Sequence, residues 1–547
     1  MLEGLLNAVA SCREWADRDV VVLSAQDAEK VRHRLTIGLS PEASRLQVTV
    51  CYGRRTSEEE LLTCHVDRAS LIFIIGEDGE DGHDALNVEC WEMARALRAN
   101  ATQVAQCYLY LNTDAAVNLF HMLPQEAHTS IETTIVNPQQ SLVQQLLGSD
   151  NPQLTPHTLD RGLVTAGADR YVHLVVVGMT TMGQAFATTA ARLCHFPNFD
   201  ASSQHPLRTR ITFIDPAVDV GMNRFRSSLP ALFALSHSRY MADETGWLQG
   251  RPDSRYGDFL DVEWEFVKGS TDDEWVRAML ATCAADPQQV LSVAFCNDSA
   301  DENLAQAFHL PLQLYPGYVD DQLSEHDDNG TCIYVYQPQG GALIKAAQTE
   351  VMRYRNLIPF GEHLGDYDPL LSRQTAVAKR VNYLYQKENS GKEFVAMPTD
   401  AAILDDLWQQ LPMTEKMSCV HVAASVYAQL RSLGLQTSAT LVPSTDTEVI
   451  EALARTEQAR RNIEKLLLGF GVMTAGERTR LNAALESEDP EVRQEARTYT
   501  NRNTNQLFLL KDIAPYDTLP EASKADIRTI VCNLPLAALP YISRVES

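Results

Sequence analysis

No apolar run in these 547 residues approaches the ~18 needed to cross a bilayer. A signal peptide is missing too, because Glu3, Arg13 and Glu14 interrupt the stretch where its apolar core would sit. The 11 cysteines are odd in number, scattered, and form no C-x-x-C pair. That argues against a disulfide frame or a zinc site and fits free thiols in a reducing cytoplasm. Positive charge is scarce: 46 Lys and Arg against 72 Asp and Glu leave a net charge of −26. Such a chain has no basic stripe for nucleic acid. Catalytic signatures are lacking as well. There is no G-x-S-x-G elbow, no H-E-x-x-H and no Walker lysine. Cys194 and His195 are neighbours at a helix end and should diverge rather than act as a dyad. His65 and His83 are spaced too irregularly for zinc.

What is present centres on residues 171–216. Tyr171-Val-His-Leu-Val-Val-Val-Gly178 reads as a buried parallel strand. It ends in Gly178-Met-Thr180-Thr-Met182-Gly183, and a helix follows over 184–194, with Ala185, Ala187, Ala190 and Ala191 on a small-residue face. The next strand, Arg210-Ile-Thr-Phe-Ile-Asp215, ends in an acid. This is the order of a dinucleotide-binding βαβ unit. Its glycines let the backbone approach a pyrophosphate, the helix N-terminus offers N–H groups, and the acid accepts from ribose hydroxyls. Thr180 stands where the middle glycine usually does, and a polar loop over 196–208 lengthens the spacing to Asp215. An adenine nucleotide is the expected ligand, a mononucleotide fitting as well as NAD. Asn297 and Asp298 end another strand and either face the same crevice or cap the next helix. The alternative is a Rossmann-type half that packs and binds nothing.

The expected fold class is α/β, with two Rossmann-type units on parallel sheets, a mainly helical region and a small C-terminal domain. The predicted boundaries are 1–150, 165–360, 365–440 and 446–547. The first unit begins mid-fold. Leu2 to Trp15 reads as the helix that normally follows the glycine turn, yet no strand precedes it. Either an upstream portion has been cut away, the favoured reading because an exposed parallel edge is a liability, or another part of the protein supplies the strand; under truncation an open position is expected between the strands at 19–24 and 69–76. Glu77, Asp78, Glu80, Asp81 and Asp84 form the densest acidic cluster. It reads as a solvated loop with Asp84 capping a helix; a Ca²⁺ site is the lesser reading, since EF-hand spacing is absent. Residues 475–503 are highly charged, show no core face, and read as a solvated insertion.

Val175-Val-Val-Gly178-x-x-x-Met182-Gly183 with Ile211-Thr-Phe-Ile-Asp215 resembles RCK or TrkA-N regulatory domains of potassium channels and transporters. Val21-Val-Leu-Ser24 and Asp67-Arg-Ala-Ser-Leu-Ile-Phe-Ile-Ile-Gly76 resemble the corresponding half of Castor/Pollux-type channel domains. Leu453-Ala-Arg-Thr-Glu457, Lys465-Leu-x-x-Gly469-Phe470 and Ala514-Pro-Tyr516-Asp-x-Leu519-Pro520-Glu521 resemble the RyR domain of ryanodine receptors and prokaryotic proteins. Gln458 and Asn462 replace that family's usual His and Trp. The resemblance implies RCK-like and RyR-like domains in a cytoplasmic nucleotide-sensing protein, or the soluble part of a channel or transporter at the inner face of a membrane. It also implies a homo-oligomer, with the helix over 86–99 as one packing surface, and a membrane portion upstream or in trans. An NAD(P)-dependent oxidoreductase and a protein-interaction scaffold without nucleotide are the alternatives.

Overall fold

A computed structural model describes residues 2–11, 18–77, 79–123, 130–148, 158–316, 331–361, 373–433 and 446–542. The fold is α/β with parallel sheets and Rossmann-like units, as the strand–helix alternation predicts. The chain divides into two compact units. One comprises 1–142, 361–376 and 405–417; the other comprises 143–360, 377–404 and 418–547.

In the first unit, β1 (Val20–Ser24) pairs with β2 (Val48–Tyr52), both parallel. β3 (Leu71–Ile74), β4 (Ala105–Tyr110) and β5 (Ile131–Val136) form a second parallel sheet, in that order. No described strand lies between β1 and β3. The helices are α1 (Leu2–Ser11), α2 (Ala28–Gly38), α3 (Glu58–Thr63) and α4 (His83–Leu97), followed by Asp114–Met122. Leu6, Val9, Val31 and Leu35 pack over β1 and β2, whereas Leu61, Cys90, Trp91 and Ala94 pack on β3 to β5. The apolar face of α4 is thus used inside its own unit. Arg98, 1% exposed, fastens the helix end by donating to the carbonyls of Val66, Asp67, Ala69 and Gln103.

The second unit holds an eight-stranded sheet. Its strands are β6 (Tyr171–Val177), β7 (Thr209–Ile214), β8 (Ser238–Met241), β9 (Leu248–Gly250), β10 (Val262–Val267), β11 (Gln289–Phe295), β12 (Cys332–Tyr336) and β13 (Leu357–Phe360). They lie in the order β13-β12-β11-β6-β7-β10-β8-β9, all parallel except β9. Val172, Leu174, Val175 and Val176 are fully buried, which is why β6 reads as an apolar run. One polar residue in it, His173, is buried between Gln289 and Thr212 at 2.6 and 2.9 Å. Burial, helped by Arg210, pushes its pKa down to about 3. Thr212 donates in turn to Glu265, which pairs with Arg210 and Arg239. The strands of the sheet centre are thereby linked through a buried polar network.

The C-terminal helices belong to this unit. The long helix Thr447–Leu467 packs on the helix Thr181–Leu193 and on Glu521–Ile542. Residues 475–503 are not a coreless insertion. Helices Ala475–Leu485 and Pro490–Gln506 pair with each other, burying Leu481 and Ala496 with Met473 against Leu509. The pairing surface is so narrow that the surrounding charges hide it in the sequence.

Candidate functional site

The order of the second sheet reverses between β6 and β11, the switch point of an open α/β sheet where ligands sit at strand carboxyl ends. β6 delivers Gly178 to this point and β11 delivers Cys296. Gly178 has φ +93°, and a Cβ there would lie 2.5 Å from Asn297 Oδ1. Only glycine fits both conditions. Thr180 is the N-cap of the helix Thr181–Leu193. Its hydroxyl accepts from Gly183 N at 3.1 Å and donates to the Cys296 carbonyl at 2.5 Å. The residue in the middle glycine's place therefore ties the two switch-point strands together, and its proton is used within the protein. A Cβ on Gly183 would lie 2.1 Å from the Gly178 carbonyl oxygen, so the helix depends on glycine to reach the strand.

Asp215, at the end of β7, closes the turn. Its Oδ2 accepts from Met179 N at 2.8 Å and its Oδ1 from Ala217 N at 2.7 Å. The carboxylate lies on a backbone N–H of the glycine turn itself. The N–H groups of Thr181 and Met182 have no acceptor among the described residues. They are the first donors of the helix, where an anion is favoured. Met182 itself is buried, so its side chain belongs to the core and its contribution to the site is backbone only.

On the other side, Asn297 N donates to Asn303 Oδ1 at 2.8 Å, and Asn297 Nδ2 donates to Gln306 Oε1 at 3.0 Å. Asn303, fully buried, also donates to the carbonyls of Asn297 and Tyr336. Asp298 is exposed, and neither it nor Asn297 caps the next helix: Ser299 does, accepting from Glu302 N at 3.2 Å. Thus Gly178, Thr180, Gly183, Asp215 and Asn297 gather at one point. The sequence reading missed Asn303 and the Cys296 carbonyl. A lone polar residue on the inner face of an amphipathic helix was the available signal for the first; a backbone group leaves none.

The chain matches no protein-family model, and no curated protein matches it.

The acidic cluster of the first unit does not converge. Glu77 accepts from Ser24 Oγ, Ala25 N and Gln26 Nε2. Glu80 pairs with Arg55, whose hydrogen bond holds its carboxyl below the usual range. Asp81 is exposed, and Asp78 lies outside the described residues. Among the described residues no group of three or more His, Cys, Asp or Glu is placed to hold a metal ion. Asp84 is not the cap of α4 either. That helix starts at His83 after Gly82, and the Asp84 carboxylate reaches instead to Asn112 N at 2.8 Å and Thr113 N at 3.0 Å. Burial pushes its pKa up, but the bonds from His83, Asn112 and Thr113 outweigh this and hold it at about 2. A depressed carboxylate stabilises the fold above its unfolded pKa of about 4. That share is lost as pH falls towards 2. Asp84→Asn should therefore flatten the acid limb of a stability-versus-pH curve between these values, measured by denaturant midpoint.

In the C-terminal region Gln458 and Asn462 are both buried. Gln458 donates to the Asp512 and Ala514 carbonyls, while Asn462 exchanges two hydrogen bonds with Ala514. They fix the 512–514 segment to the helix Thr447–Leu467.

No helix among the described residues is long and apolar enough to cross a membrane.

Proposed function

We propose that the protein is a nucleotide-sensing regulatory protein, in which an adenine nucleotide at the Gly178–Gly183 turn is sensed and not consumed. One observation carries this reading: the glycine turn sits at the sheet's switch point with the Asp215 carboxylate already on its Met179 N–H. Backbone N–H groups of such a turn attract anions, and here an internal anion holds one of them. A phosphate settling on the Thr181 and Met182 N–H groups comes close to Asp215 and repels it. The carboxylate then leaves Met179 and turns to the ribose hydroxyls. That exchange of partners gives the liganded and free states different structures, which a sensor requires. Thr180 leaves less room than glycine for a full pyrophosphate, so a mononucleotide fits as well as NAD. On the likeness to RCK or TrkA-N domains, the regulated partner is a potassium channel or transporter, and the protein acts as a homo-oligomer.

Calorimetry with NAD, ATP and AMP tests the reading. Wild type should bind at least one of them, and Asp215→Ala should weaken binding by about tenfold, the loss of one charge-assisted hydrogen bond of roughly 1.4 kcal/mol. Unchanged affinity in Asp215→Ala, or steady NADH oxidation with a carbonyl substrate, would contradict it.

A further inference from the structure

We propose that Cys51 and Cys64 form a reversible disulfide, a redox-sensitive clasp that pins α3 to β2 in the first unit. Both thiols are free and half-buried, and among the described residues Cys283 is the only other cysteine that is not buried.

The register of helix on strand brings the pair together. The ladder of β2 continues past Tyr52 to Gly53, whose N–H donates to Ser24 O at 2.9 Å. Gly53 lies against Glu60 of α3. A Cβ on it would lie 2.7 Å from Glu60 Oε2, and the same carboxylate accepts from Arg54 N. Cys51 is two residues before Gly53 and so points to the same face of the strand. Leu23, its partner on β1, is on that face too, with Cδ1 2.9 Å from the same added Cβ. Val50 points the other way, into the core with Val31 and Leu35 of α2. Ser57 N donates to Arg54 O at 3.0 Å, the turn that sends the chain back along the strand. On α3, Cys64 is one turn beyond Glu60, its N–H donating to Glu60 O at 3.0 Å, and shares its helix face. Two strand residues cover about 6.6 Å and four helical residues about 6 Å. A helix returning along β2 with Glu60 on Gly53 therefore sets Cys64 on Cys51, and the two thiols are in contact.

Burial, and after it the neighbouring Cys51, pushes the Cys64 thiol up to about 11. Cys64 thus keeps its proton at neutral pH, and Cys51 supplies the attacking thiolate. The oxidant is a low-molecular-weight disulfide. The Cys51 thiolate attacks one of its sulfurs and breaks the S–S bond, and the displaced thiolate leaves with the proton that Cys51 gave up. Cys51 is then a mixed disulfide and carries no charge to hold the proton on its neighbour. Cys64 loses its proton to solvent, attacks the Cys51 sulfur and displaces the second small thiolate, which takes up a proton. Two protein thiols and one small disulfide become one protein disulfide and two small thiols, and two electrons pass to the oxidant. A dithiol reductant reverses the exchange. The clasp acts on a weak element, because α3 has six residues and cannot hold itself. The turn that it closes carries Arg55, which donates to Asn87 Oδ1 at 2.9 Å and pairs with Glu80. A bridge from 51 to 64 limits how far α3 and this turn can open.

The test places the full chain in buffers of reduced and oxidised glutathione, alkylates the free thiols and maps the peptides by mass spectrometry. Wild type should join the peptides that carry Cys51 and Cys64, and dithiothreitol should release them. Cys64→Ser should stop at a glutathione adduct on Cys51, whereas Cys51→Ser should form an adduct on Cys64 about tenfold more slowly. Oxidation of wild type should slow hydrogen exchange at the Leu61 amide, which bonds Ser57 O, by about tenfold or more, and the same oxidant should not slow it in Cys51→Ser. Separate glutathione adducts on the two cysteines of wild type, both thiols left reduced in excess oxidised glutathione, or a bridge to a different cysteine overturns the pairing. Equal or faster adduct formation in Cys51→Ser overturns Cys51 as the attacking sulfur. A bridge that leaves Leu61 exchange unchanged overturns the clasp.

Discussion

Arg460→Met is expected to destabilise the second unit by about 3–5 kcal/mol, the usual cost of breaking a buried ion pair from one side. Arg460 is fully buried and bonds both oxygens of Glu457, at 2.8 and 2.9 Å, and also Glu464. Both acids are themselves fully buried. Gln429 adds a bond to Glu457, and Lys465 and His421 lie 3.8 and 3.9 Å from Glu464, but among the described residues only Arg460 touches both carboxylates. Burial works against the charge on Glu464, and Arg460 outweighs it, so its carboxyl stays well below the usual range. In wild type this contributes stability above the ordinary Glu pKa of about 4.3, lost as pH falls below it. The variant reverses the sign. The buried Glu464 carboxylate, left among the described residues with only Lys465 at 3.8 Å and His421 at 3.9 Å, then titrates upward, so the deficit should be greatest near pH 8 and shrink towards pH 5. Adding Glu457→Gln and Glu464→Gln should restore part of the loss. Denaturant midpoints of wild type, Arg460→Met and the triple variant at pH 5 and pH 8 check this. A deficit independent of pH would mean that lost packing, not charge, is what Arg460 supplies.

Gly183→Ala is expected to cost about 1–3 kcal/mol or more and to weaken nucleotide binding at least tenfold. The added Cβ meets the Gly178 carbonyl oxygen at 2.1 Å, and that atom is backbone in the middle of a tight turn. The helix Thr181–Leu193 must back away from β6. Its departure moves the Thr180 hydroxyl off the Cys296 carbonyl and withdraws the Thr181 and Met182 N–H groups from the ligand. Thermal scans and calorimetry on the same samples separate the two losses. Undiminished binding in a folded Gly183→Ala protein would place the nucleotide elsewhere.

Elements buried on both faces announce themselves in the sequence. β6 and β11 are mostly apolar and buried on both faces, and the glycine turn sits where the strand-to-helix order requires it. Edge and mixed elements were not legible. β5 reads Ile-Glu-Thr-Thr-Ile-Val, with a charge and two hydroxyls breaking the pattern. β13 contains Pro359, tolerated because among the described residues the strand pairs on one side only. Asp84 looked like a cap because it precedes an apolar helical run, but its partners are 28 and 29 residues away in sequence, at Asn112 and Thr113. At the site, the glycines and Asp215 were readable from spacing. The bonds of Thr180 to Cys296 O and of Asp215 to Met179 N were not, because the other partner in each is a backbone group.

The most direct test of the sensing reading is hydrogen exchange at the Gly178–Gly183 turn with saturating NAD, ATP or AMP. The account predicts slowed exchange at the Thr181 and Met182 amides, changed exchange at Met179 as Asp215 leaves it, and no consumption of nucleotide. Binding that leaves these amides unchanged, or protects a different part of the chain, would contradict it.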